Sequence, residues 1–271
     1  MRRARIREIS GASNALLKVF RRALAEGTTR QGWLAVEGPF LLEEALKAAP
    51  RAKVHSVLAS CTGAEKFAQL LKRVPENTEV AQVADRVFQQ VAQTQTPQGV
   101  AALVELSACD LDQTLAHRDI LLLVACGIQD PGNLGSMMRS AQAFAGTALL
   151  TLKETVSPFN PKAVRSSTGA IFRLPIFCDL EAQSLFDRLR AASVRIVAAD
   201  RRSPSPLALA DLTSPLAILI GREATGLPEE ISREAHQLLS IPISPGMDSV
   251  NAATAASIFL YEAARQRGFR Y

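Results

Sequence analysis

The stretch Leu121–Gly146 reads LLLVACGIQDPGNLGSMMRSAQAFAG and contains three patterns in succession. It begins with the apolar run Leu121–Ala125, whose length and lack of alternation are typical of a strand buried on both faces. The next residues form a turn rich in Gly, Pro, Asn and Asp, in which Asn133 is predicted to cap a helix. Beyond the turn, four apolar residues recur at helical spacing and predict a buried stripe: Leu134, Met137, Met138 and Ala141. The stretch therefore predicts a strand, a loop and a helix, with polar groups at the strand end where open α/β sheets bind ligands.

The loop in this stretch fits neither of two common phosphate-binding motifs. Gly127 and Gly132 have the separation of the two glycines in a P-loop, but Asn133 and Leu134 stand where that motif requires Lys and Ser or Thr. The dinucleotide fingerprint Gly-x-Gly-x-x-Gly is also absent from the stretch. The ligand of this loop must therefore be inferred from the rest of the chain.

Length and composition limit the class of protein. With 271 residues, of which 48% are hydrophobic, the chain can form two domains with real cores. The longest apolar runs fall far short of the ~20 residues of a membrane-spanning helix, so no membrane protein is expected. The basic start Met1–Arg7 lacks a following apolar stretch and is not a secretory signal, although an arginine-rich transit peptide is an alternative.

Cysteine and histidine are scattered along the chain. The four cysteines include no Cys-x-x-Cys pair, and the three histidines are equally dispersed. Neither a disulfide framework nor a metal site is expected from this spacing. Reduced thiols are typical of a cytoplasmic protein, which is the predicted location.

The basic character of the chain bears on its partner. A net charge of +5 and a pI of about 9.3 permit a polyanionic partner. A single arginine cluster usually marks a solvated helix face. Several clusters with few acidic residues nearby favour nucleic acid instead. The clusters are Arg2, Arg3, Arg5 and Arg7; Arg21 and Arg22; Arg201 and Arg202; and Arg265, Arg267 and Arg270.

The first hundred residues alternate between helical and extended patterns. Helices are predicted over 13–26, 40–48, 65–73 and 84–93, and strands over 33–36, 54–59, 78–81 and 100–104. This alternation predicts a compact α/β domain over residues 1–105. The pattern loosens over 106–118, the predicted linker, before a second domain at 119–271.

The second domain continues the alternation of strands and helices. Further strands are predicted over 149–152, 171–177, 194–199, 216–220 and 239–243, and helices over 161–167, over 182–192, from Pro228 and after Ser249. Pro242 predicts an edge position for the last of these strands. Ser249 is predicted to cap the long final helix, whose apolar residues repeat at 3, 4 and 7 positions.

Three polar, glycine-bearing segments follow predicted strands, at 130–139, 221–226 and 246–251. Taken singly, each is most simply a turn. Asn133 and Ser249 would then be helix caps, Glu223 a loop acid and Arg139 a solvated base. Because ligands bind at the carboxyl edge of an open sheet, the three segments together predict one pocket.

These segments resemble, in order and spacing, the three motifs of the SpoU/TrmH branch of the SPOUT RNA methyltransferases, over roughly residues 120–266. The motif residues are Asp130–Gly135 with Arg139–Ala141; Gly221, Glu223, Gly226 and Leu227; and Ile241–Ile243, Gly246 and Ser249–Asn251. The front of the chain is similar to a substrate-binding domain of ribosomal-protein-like α/β fold. The residues of this weaker match are Asn14, Glu37–Gly38 and Glu44–Leu46.

The resemblance implies S-adenosylmethionine as the methyl donor and an RNA ribose 2′-hydroxyl as the acceptor. It also implies a C-terminal domain with a parallel sheet and a deep trefoil knot, which composition could not indicate because knots are nearly absent from proteins. A homodimer is implied as well. The final helix and the helix of Met137 and Met138 are candidate interfaces, with core packing as the alternative for the second helix.

The resemblance assigns roles to individual residues. Cofactor contacts are expected at Gly221, Ile241 and Val250, and more weakly at Ala198 and Ala199. The chain departs from residues common in the family at three positions. Ala145 stands where glycine is usual, with Gly146 one residue later, and Val250 and Ala252 replace leucine and valine. These departures could tune cofactor affinity and leave the polar residues intact.

For the catalytic step, the resemblance implies that Arg139 holds the target phosphate or ribose. Family proposals also make this arginine the proton acceptor, although a pKa above ~12 makes arginine a reluctant base. Methyl transfer is an in-line displacement, so positioning should supply much of the barrier reduction. Asn133, Ser249 and Asn251 would orient the ribose, Arg139 and the loop, and Glu223 would fix Arg139 or the loop. Residues that could hold RNA phosphates are Lys162, Arg165 and Ser166.

The expected RNA is 23S ribosomal RNA first and transfer RNA second. Two other functions stay open at this point. One is a non-catalytic RNA-binding protein on the same fold. The other is a small-molecule methyltransferase or nucleotide-binding enzyme, which would not need a basic front domain.

Overall fold

A computed structural model describes residues 6–9 and 14–269 of the protein. The predicted basic residues Arg2, Arg3, Arg5 and Arg270 lie outside the described residues, as does Ser13 at the start of the first predicted helix. In the first part of the chain the elements are β1 (Ile6–Glu8), α1 (Ala15–Glu26), β2 (Leu34–Glu37), α2 (Pro39–Lys47), β3 (Ala52–Ser60), α3 (Cys61–Lys66), α4 (Ala68–Leu71), β4 (Glu79–Val83), α5 (Asp85–Gln89) and β5 (Val100–Leu106). They continue with α6 (Leu111–Leu115), β6 (Leu121–Ala125), α7 (Pro131–Ala143), β7 (Ala148–Leu152), α8 (Pro161–Ser166), β8 (Ile176–Leu180), α9 (Ala182–Ala191), β9 (Arg195–Ala199), β10 (Leu216–Ile220), α10 (Glu229–Ser232), β11 (Gln237–Leu239) and α11 (Ala252–Gln266).

The first unit consists of the described residues up to Ala108 together with Phe159–Arg173. Its five-stranded sheet has the order β1-β4-β3-β5-β2, in which β1, β4 and β3 are parallel and β5 is antiparallel to both neighbours. Helix α8 belongs to this unit, because it packs against β2 and α1. The mixed sheet covered by helices agrees with the predicted α/β class.

Helix α1 shows how the sequence sets an element of the first unit. The Asn14 side chain caps it by accepting from Leu16 N at 2.8 Å. Its buried residues recur at helical spacing, and Gly27 ends it with φ 99°. A Cβ at Gly27 would lie 2.1 Å from the carbonyl oxygen of Phe159, so only glycine allows this close approach.

The second unit consists of Cys109–Pro158 and the described residues from Leu174 onward. Its six strands are all parallel, in the order β11-β9-β10-β6-β7-β8. The chain runs outward from β6 to β7 and β8, then crosses to β9 and returns to place β10 beside β6. The strand order thus reverses between β6 and β10, which is where ligands bind in sheets of this type.

The burial of the central strands of this sheet accounts for their apolar sequence. Every residue of β6, β7 and β10 is buried, since helices cover both faces of a parallel sheet. The predicted stripe on α7 is confirmed, because all four of its residues are fully buried. Met137 and Met138 therefore pack in the core of the chain.

Several predicted elements differ from the structure. The helix predicted over 65–73 is two short helices, α3 and α4, and the strand predicted over 171–177 is a 3₁₀ turn at Ala170–Phe172 followed by β8. The last strand ends at Leu239, four residues earlier than predicted. Its predicted edge position is confirmed. Strand β1 was not predicted.

Both predicted helix caps in the second unit are displaced by two or three residues. Asp130, and not Asn133, caps α7, because Pro131 occupies the first helical position and the Asp130 carboxylate accepts from Asn133 N at 3.0 Å. Asn251, and not Ser249, caps α11, with its Oδ1 accepting from Ala253 N at 2.8 Å. The side chains of Asn133 and Ser249 are thus not used as caps.

The segment over 106–118 contains α6, and Leu111 and Leu115 from this helix pack into the core of the second unit. The boundaries placed at 105 and 119 from the sequence stay predictions. The contribution of Phe159–Arg173 to the first unit had no counterpart in the sequence analysis.

Candidate functional site

Three loops at the carboxyl edge of the parallel sheet are joined by side-chain hydrogen bonds. Asn133, near the start of α7, donates through Nδ2 to Glu223 Oε1 in the loop after β10. Asn251, at the start of α11, donates through Nδ2 to Asn133 Oδ1 at 2.9 Å. The structure therefore brings together one residue from each of the three polar segments.

The donor-to-acceptor direction of this series of side-chain hydrogen bonds is determined at both of its ends. Oδ1 of Asn251 accepts from Ala253 N and Thr254 N, so its amide nitrogen is the group left for Asn133. A carboxylate such as that of Glu223 only accepts, so Asn133 must present its own amide nitrogen there. The helix cap of α11 and the polar chain are consequently built from the same side chain.

A cavity lies beside this chain, between the loop after β10 and the segment that joins β11 to α11. Glu223 lines it together with other residues of its loop. The remaining lining is mixed, with apolar side chains, backbone, two arginines and an aspartate. It includes Ala199, Arg201, Gly221, Ile241, Ser249 and Val250.

The turn after β10 is tight and depends on glycine. The backbone groups of Arg222 and Gly226 pair at 3.0 and 2.9 Å, which folds the loop back on itself. A Cβ at Gly221 would lie 2.4 Å from the carbonyl carbon of Gly226 and 2.5 Å from Leu227 N. Gly221 therefore lets two backbone segments approach at the cavity wall.

Backbone hydrogen-bond donors are available along the cavity. Over residues 6–9 and 14–269, the N–H groups of Gly221, Ile241 and Val250 donate to no other protein group. The pairing of β9 with β10 ends at Ala198 and Leu219, just before Ala199 and Gly221. Unpaired donors beside an apolar wall suit a flat heteroaromatic group with acceptors at its edge, such as a purine nucleoside.

Arg139 is not part of the polar chain. Its side chain is exposed on α7, and the described residues include none that is hydrogen-bonded or ion-paired to it. Glu223 contacts Asn133 and not Arg139. Of the other predicted residues, Ser249, Ile241, Val250, Gly221 and Ala199 line the cavity, whereas Ala198 is fully buried behind it.

Residues in the loop after β7, which the sequence analysis did not identify, hold these loops through hydrogen bonds and an ion pair. Thr155 Oγ1 donates to Ala125 O at 3.1 Å and accepts from Gly127 N at 2.9 Å, which ties the end of β6 to the loop after β7. Arg222 forms an ion pair with Glu154 in that same loop. No sequence signal marks this pair, because the two residues are distant in the chain and each has the type expected of a solvated loop.

The one thiol near these loops is inert. Cys126 follows β6 directly and is fully buried, and burial raises the pKa of its thiol to about 12. A thiol with this pKa carries almost no thiolate at neutral pH, so it does not serve as a nucleophile. Among the described residues, no three His, Cys, Asp or Glu side chains are grouped as metal ligands. None of the described helices has the length and apolar character needed to cross a membrane.

A parallel sheet with a cavity and a convergent polar chain at its carboxyl edge is typical of an α/β enzyme that binds a small ligand there. A family model described as the SpoU rRNA Methylase family matches residues 120–261, and an MRM3-like substrate binding domain matches residues 23–102. The chain belongs to the SpoU rRNA methylase family. The resemblance, the fold class and the prediction of an RNA-methylating enzyme are thereby confirmed.

Individual relatives agree with this assignment. The chain is 34% identical over 74% of its length to a 23S rRNA (uridine(2479)-2′-O)-methyltransferase of Streptomyces viridochromogenes, and this match covers 72% of that protein. It is 27% identical over 94% of its length to the 23S rRNA (guanosine(2553)-2′-O)-methyltransferase RlmP of Bacillus subtilis, covering 98% of it.

Solved structures give the same result for the whole fold. The SpoU methyltransferase AviRb from Streptomyces viridochromogenes superposes with a TM-score of 0.82 at 30% identity, covering 94% of this chain and 98% of that one. An AdoMet-bound rRNA methyltransferase from Sinorhizobium meliloti superposes with a TM-score of 0.83 at 28% identity, covering 96% and 98%.

Proposed function

We propose that this protein transfers a methyl group from S-adenosylmethionine to a ribose 2′-hydroxyl of 23S ribosomal RNA. The observation that carries the proposal is the chain Asn251–Asn133–Glu223 beside the cavity that Gly221, Ile241 and Val250 line. Family membership supplies the reaction class, and relatives named as 23S rRNA 2′-O-methyltransferases support the acceptor. The AdoMet-bound relative supports the donor.

In this proposal the cavity holds the adenosine part of the donor. Gly221, Ile241 and Val250 would hydrogen-bond it through their unpaired N–H groups, and Ala199 would contact it at the end of β9. Ala198 would act only through packing, because it is fully buried. The bound donor supplies an electrophilic methyl group on a positively charged sulfur.

The reacting step needs alignment more than it needs an acid or a base of unusual pKa. The ribose oxygen forms a bond to the methyl carbon as the bond from carbon to sulfur breaks, which would leave neutral S-adenosylhomocysteine, and the hydroxyl proton passes to solvent water. Asn133, Asn251 and Ser249 would orient the ribose, with Glu223 holding Asn133 in place. Arg139, exposed on α7, would bind the phosphate or ribose of the target nucleotide.

The remaining assignments concern the assembly. Residues 1–105 would form an RNA-binding domain, 106–118 its connection, and 119–271 the methyltransferase domain with the knot that the family resemblance implies. The protein would work as a cytoplasmic homodimer. Tyr261 on α11 is 47% exposed and contacts Phe144 edge-on and Phe269 at a tilt, so this aromatic face is the candidate dimer surface.

Mapping of 2′-O-methyl groups tests the proposal directly. Ribosomal RNA from cells with and without the protein should differ at one 23S nucleotide, and purified protein with S-adenosylmethionine should restore that methyl group on the unmodified RNA. Asn133→Ala protein is the control for contaminating activity. Identical methylation maps, or a new methyl group on a base, would overturn the assigned reaction.

A further inference from the structure

The segment between β11 and α11 forms one wall of the cavity and is exposed over most of its length. It contains Pro242, Pro245 and Gly246, and Met247 is 63% exposed. Its two ends are fixed: Ser240 N donates to Ser205 O at 2.9 Å before it, and Asn251 is bound to Asn133 after it. We call residues 241–250 the cavity loop.

The middle of the cavity loop has one hydrogen bond to the rest of the described chain. Arg201 Nη1 donates to the carbonyl oxygen of Asp248 at 3.0 Å. The other bond in this region, from Met247 N to Ser244 O, lies within the loop itself. A single arginine therefore determines where residues 246–249 lie relative to the cavity.

Arg201 is well placed to act as such an anchor. It follows β9 in a turn that is fixed by hydrogen bonds from Asp200 N to Leu239 O at 2.9 Å and from Ser203 N to Asp200 O at 3.1 Å. Its guanidinium is a charged donor, and a hydrogen bond from a charged donor is stronger than one between neutral groups. The anchor thus starts from a rigid part of the sheet edge and reaches a loop that lacks other support.

We propose that Arg201 is a positioning residue that holds the cavity loop closed and so raises affinity for the nucleoside part of S-adenosylmethionine. Ser249 and Val250 follow the anchored carbonyl directly, so release of Asp248 would displace both from the cavity wall. The proposal rests on the cofactor site described above. It predicts that ordering of the loop precedes binding, which lowers the entropy lost when the cofactor binds.

Limited thermolysin digestion of the full chain without any ligand tests the anchor itself. In Arg201→Ala, cleavage within residues 241–250 should be faster than in the wild type, whereas cleavage elsewhere should not change. Asp248→Ala keeps the carbonyl acceptor and should leave the rate of loop cleavage unchanged. Arg202→Ala removes the same charge from the same turn but no bond to the loop, and it should also leave that rate unchanged. Loop cleavage at the wild-type rate in Arg201→Ala would overturn the anchor.

Calorimetric titration with S-adenosylhomocysteine tests the consequence for binding. We expect Arg201→Ala to raise its dissociation constant by about three- to tenfold, as follows from losing one exposed charge-assisted hydrogen bond. Arg201→Lys should recover part of the lost affinity, and Arg202→Ala should lose less affinity than Arg201→Ala. A dissociation constant in Arg201→Ala equal to that of the wild type would refute the proposal. If S-adenosylhomocysteine does not slow cleavage within residues 241–250 of the wild type, the cofactor site is wrong, and the ligand-free digestion result still reports on the anchor.

Discussion

At the scale of single residues, Asn251 performs two separable functions. Its Oδ1 caps α11, and its Nδ2 donates to Asn133. Aspartate is as good a helix cap as asparagine, and its charge is favourable at a helix N-terminus. It has no amide nitrogen, however, so it cannot donate to Asn133.

Substitution of Asn251 by aspartate or alanine separates the helix cap from the bond to Asn133. Asn251→Asp should unfold at the wild-type temperature or slightly above it, whereas Asn251→Ala should lose about 1 kcal/mol of stability with the cap. Both should lose methyl transfer by about 100-fold, because the ribose is no longer aligned. Calorimetry and single-turnover rates with RNA give the two measurements. An active Asn251→Asp protein would show that the bond to Asn133 has no role in the reaction.

Arg139 differs from Asn133, Glu223 and Asn251 in having no protein partner among the described residues, which is expected of a group that binds the substrate. Arg139→Ala should therefore retain the wild-type affinity for S-adenosylhomocysteine and lose methyl transfer by about 100-fold or more. Gln142→Ala, also exposed on α7, is the matched control and should transfer methyl normally. Loss of cofactor binding in Arg139→Ala would place this arginine in the cofactor site instead.

The sequence was informative about residue types at the site and less so about their contacts. The glycines, asparagines and Glu223 could be selected because their motif spacing places them in loops after strands. The pairing of Asn133 with Glu223 could not be predicted, since it depends on Asp130 and Pro131 starting α7 before Asn133 and freeing its side chain. The ion pair of Arg222 with Glu154 could not be predicted from the sequence either, because the two residues are far apart in it.

At the scale of elements, the end of α11 is fixed by two neighbouring side chains, chiefly that of Arg267. The Arg267 guanidinium donates to four carbonyl oxygens that precede or connect the central strands, those of Asp119, Ile120, Leu212 and Ser214. Gln266 adds bonds to Leu212 N at 2.8 Å and to Ala210 O at 2.9 Å. These residues lie at the edge of the sheet opposite the cavity, so they support the helix that carries Asn251 without touching the site.

Replacement of Arg267 should consequently affect stability and not chemistry. Arg267→Ala should lower the free energy of unfolding by about 2 kcal/mol, because partly buried carbonyls lose a charged donor. The free energy of unfolding of Arg267→Lys should lie between those of the wild type and Arg267→Ala, since one ammonium cannot match the planar fork of a guanidinium. Arg265→Ala is the control, because its exposed ion pair with Glu262 should contribute little. The measurement is urea denaturation. An equal effect of the two alanine variants would argue against this role for Arg267.

Elements with strong periodicity were predictable, and those whose limits depend on neighbours were not. The apolar runs of β6, β7 and β10 and the stripe on α7 identify buried elements directly. Strand β11 stops at Leu239 because Ser240 pairs with the segment 205–207 and no longer with β9, and Ile241 and Ile243 beyond it line the cavity. The apolar character of 241–243 serves that wall, so hydrophobicity alone was misleading there.

At the scale of the whole molecule, residues 159–173 lie within the methyltransferase family match and yet pack in the first unit. The sequence predicted a helix at 161–167 but not its packing: Ala163 and Val164 are buried, and α8 packs against β2 and α1, which are more than a hundred residues away. The family resemblance indicated which part of the chain binds RNA and which part transfers methyl. It did not indicate that residues 159–173 belong to the first unit.

Helix α8 therefore places an exposed basic residue, Arg165, on the unit proposed to bind RNA. If this residue contacts a phosphate, Arg165→Ala should reduce the slope of log affinity against log salt by about 0.7–0.9 and weaken binding to rRNA fragments equally across sequences. Affinity for S-adenosylhomocysteine should not change. Arg73→Ala in the same unit is the matched control, because it lies outside the arginine clusters and its guanidinium is already paired with Glu43 at 3.0 Å. Filter binding at several salt concentrations decides: a slope that Arg165→Ala and Arg73→Ala leave equally unchanged would contradict an RNA contact at Arg165.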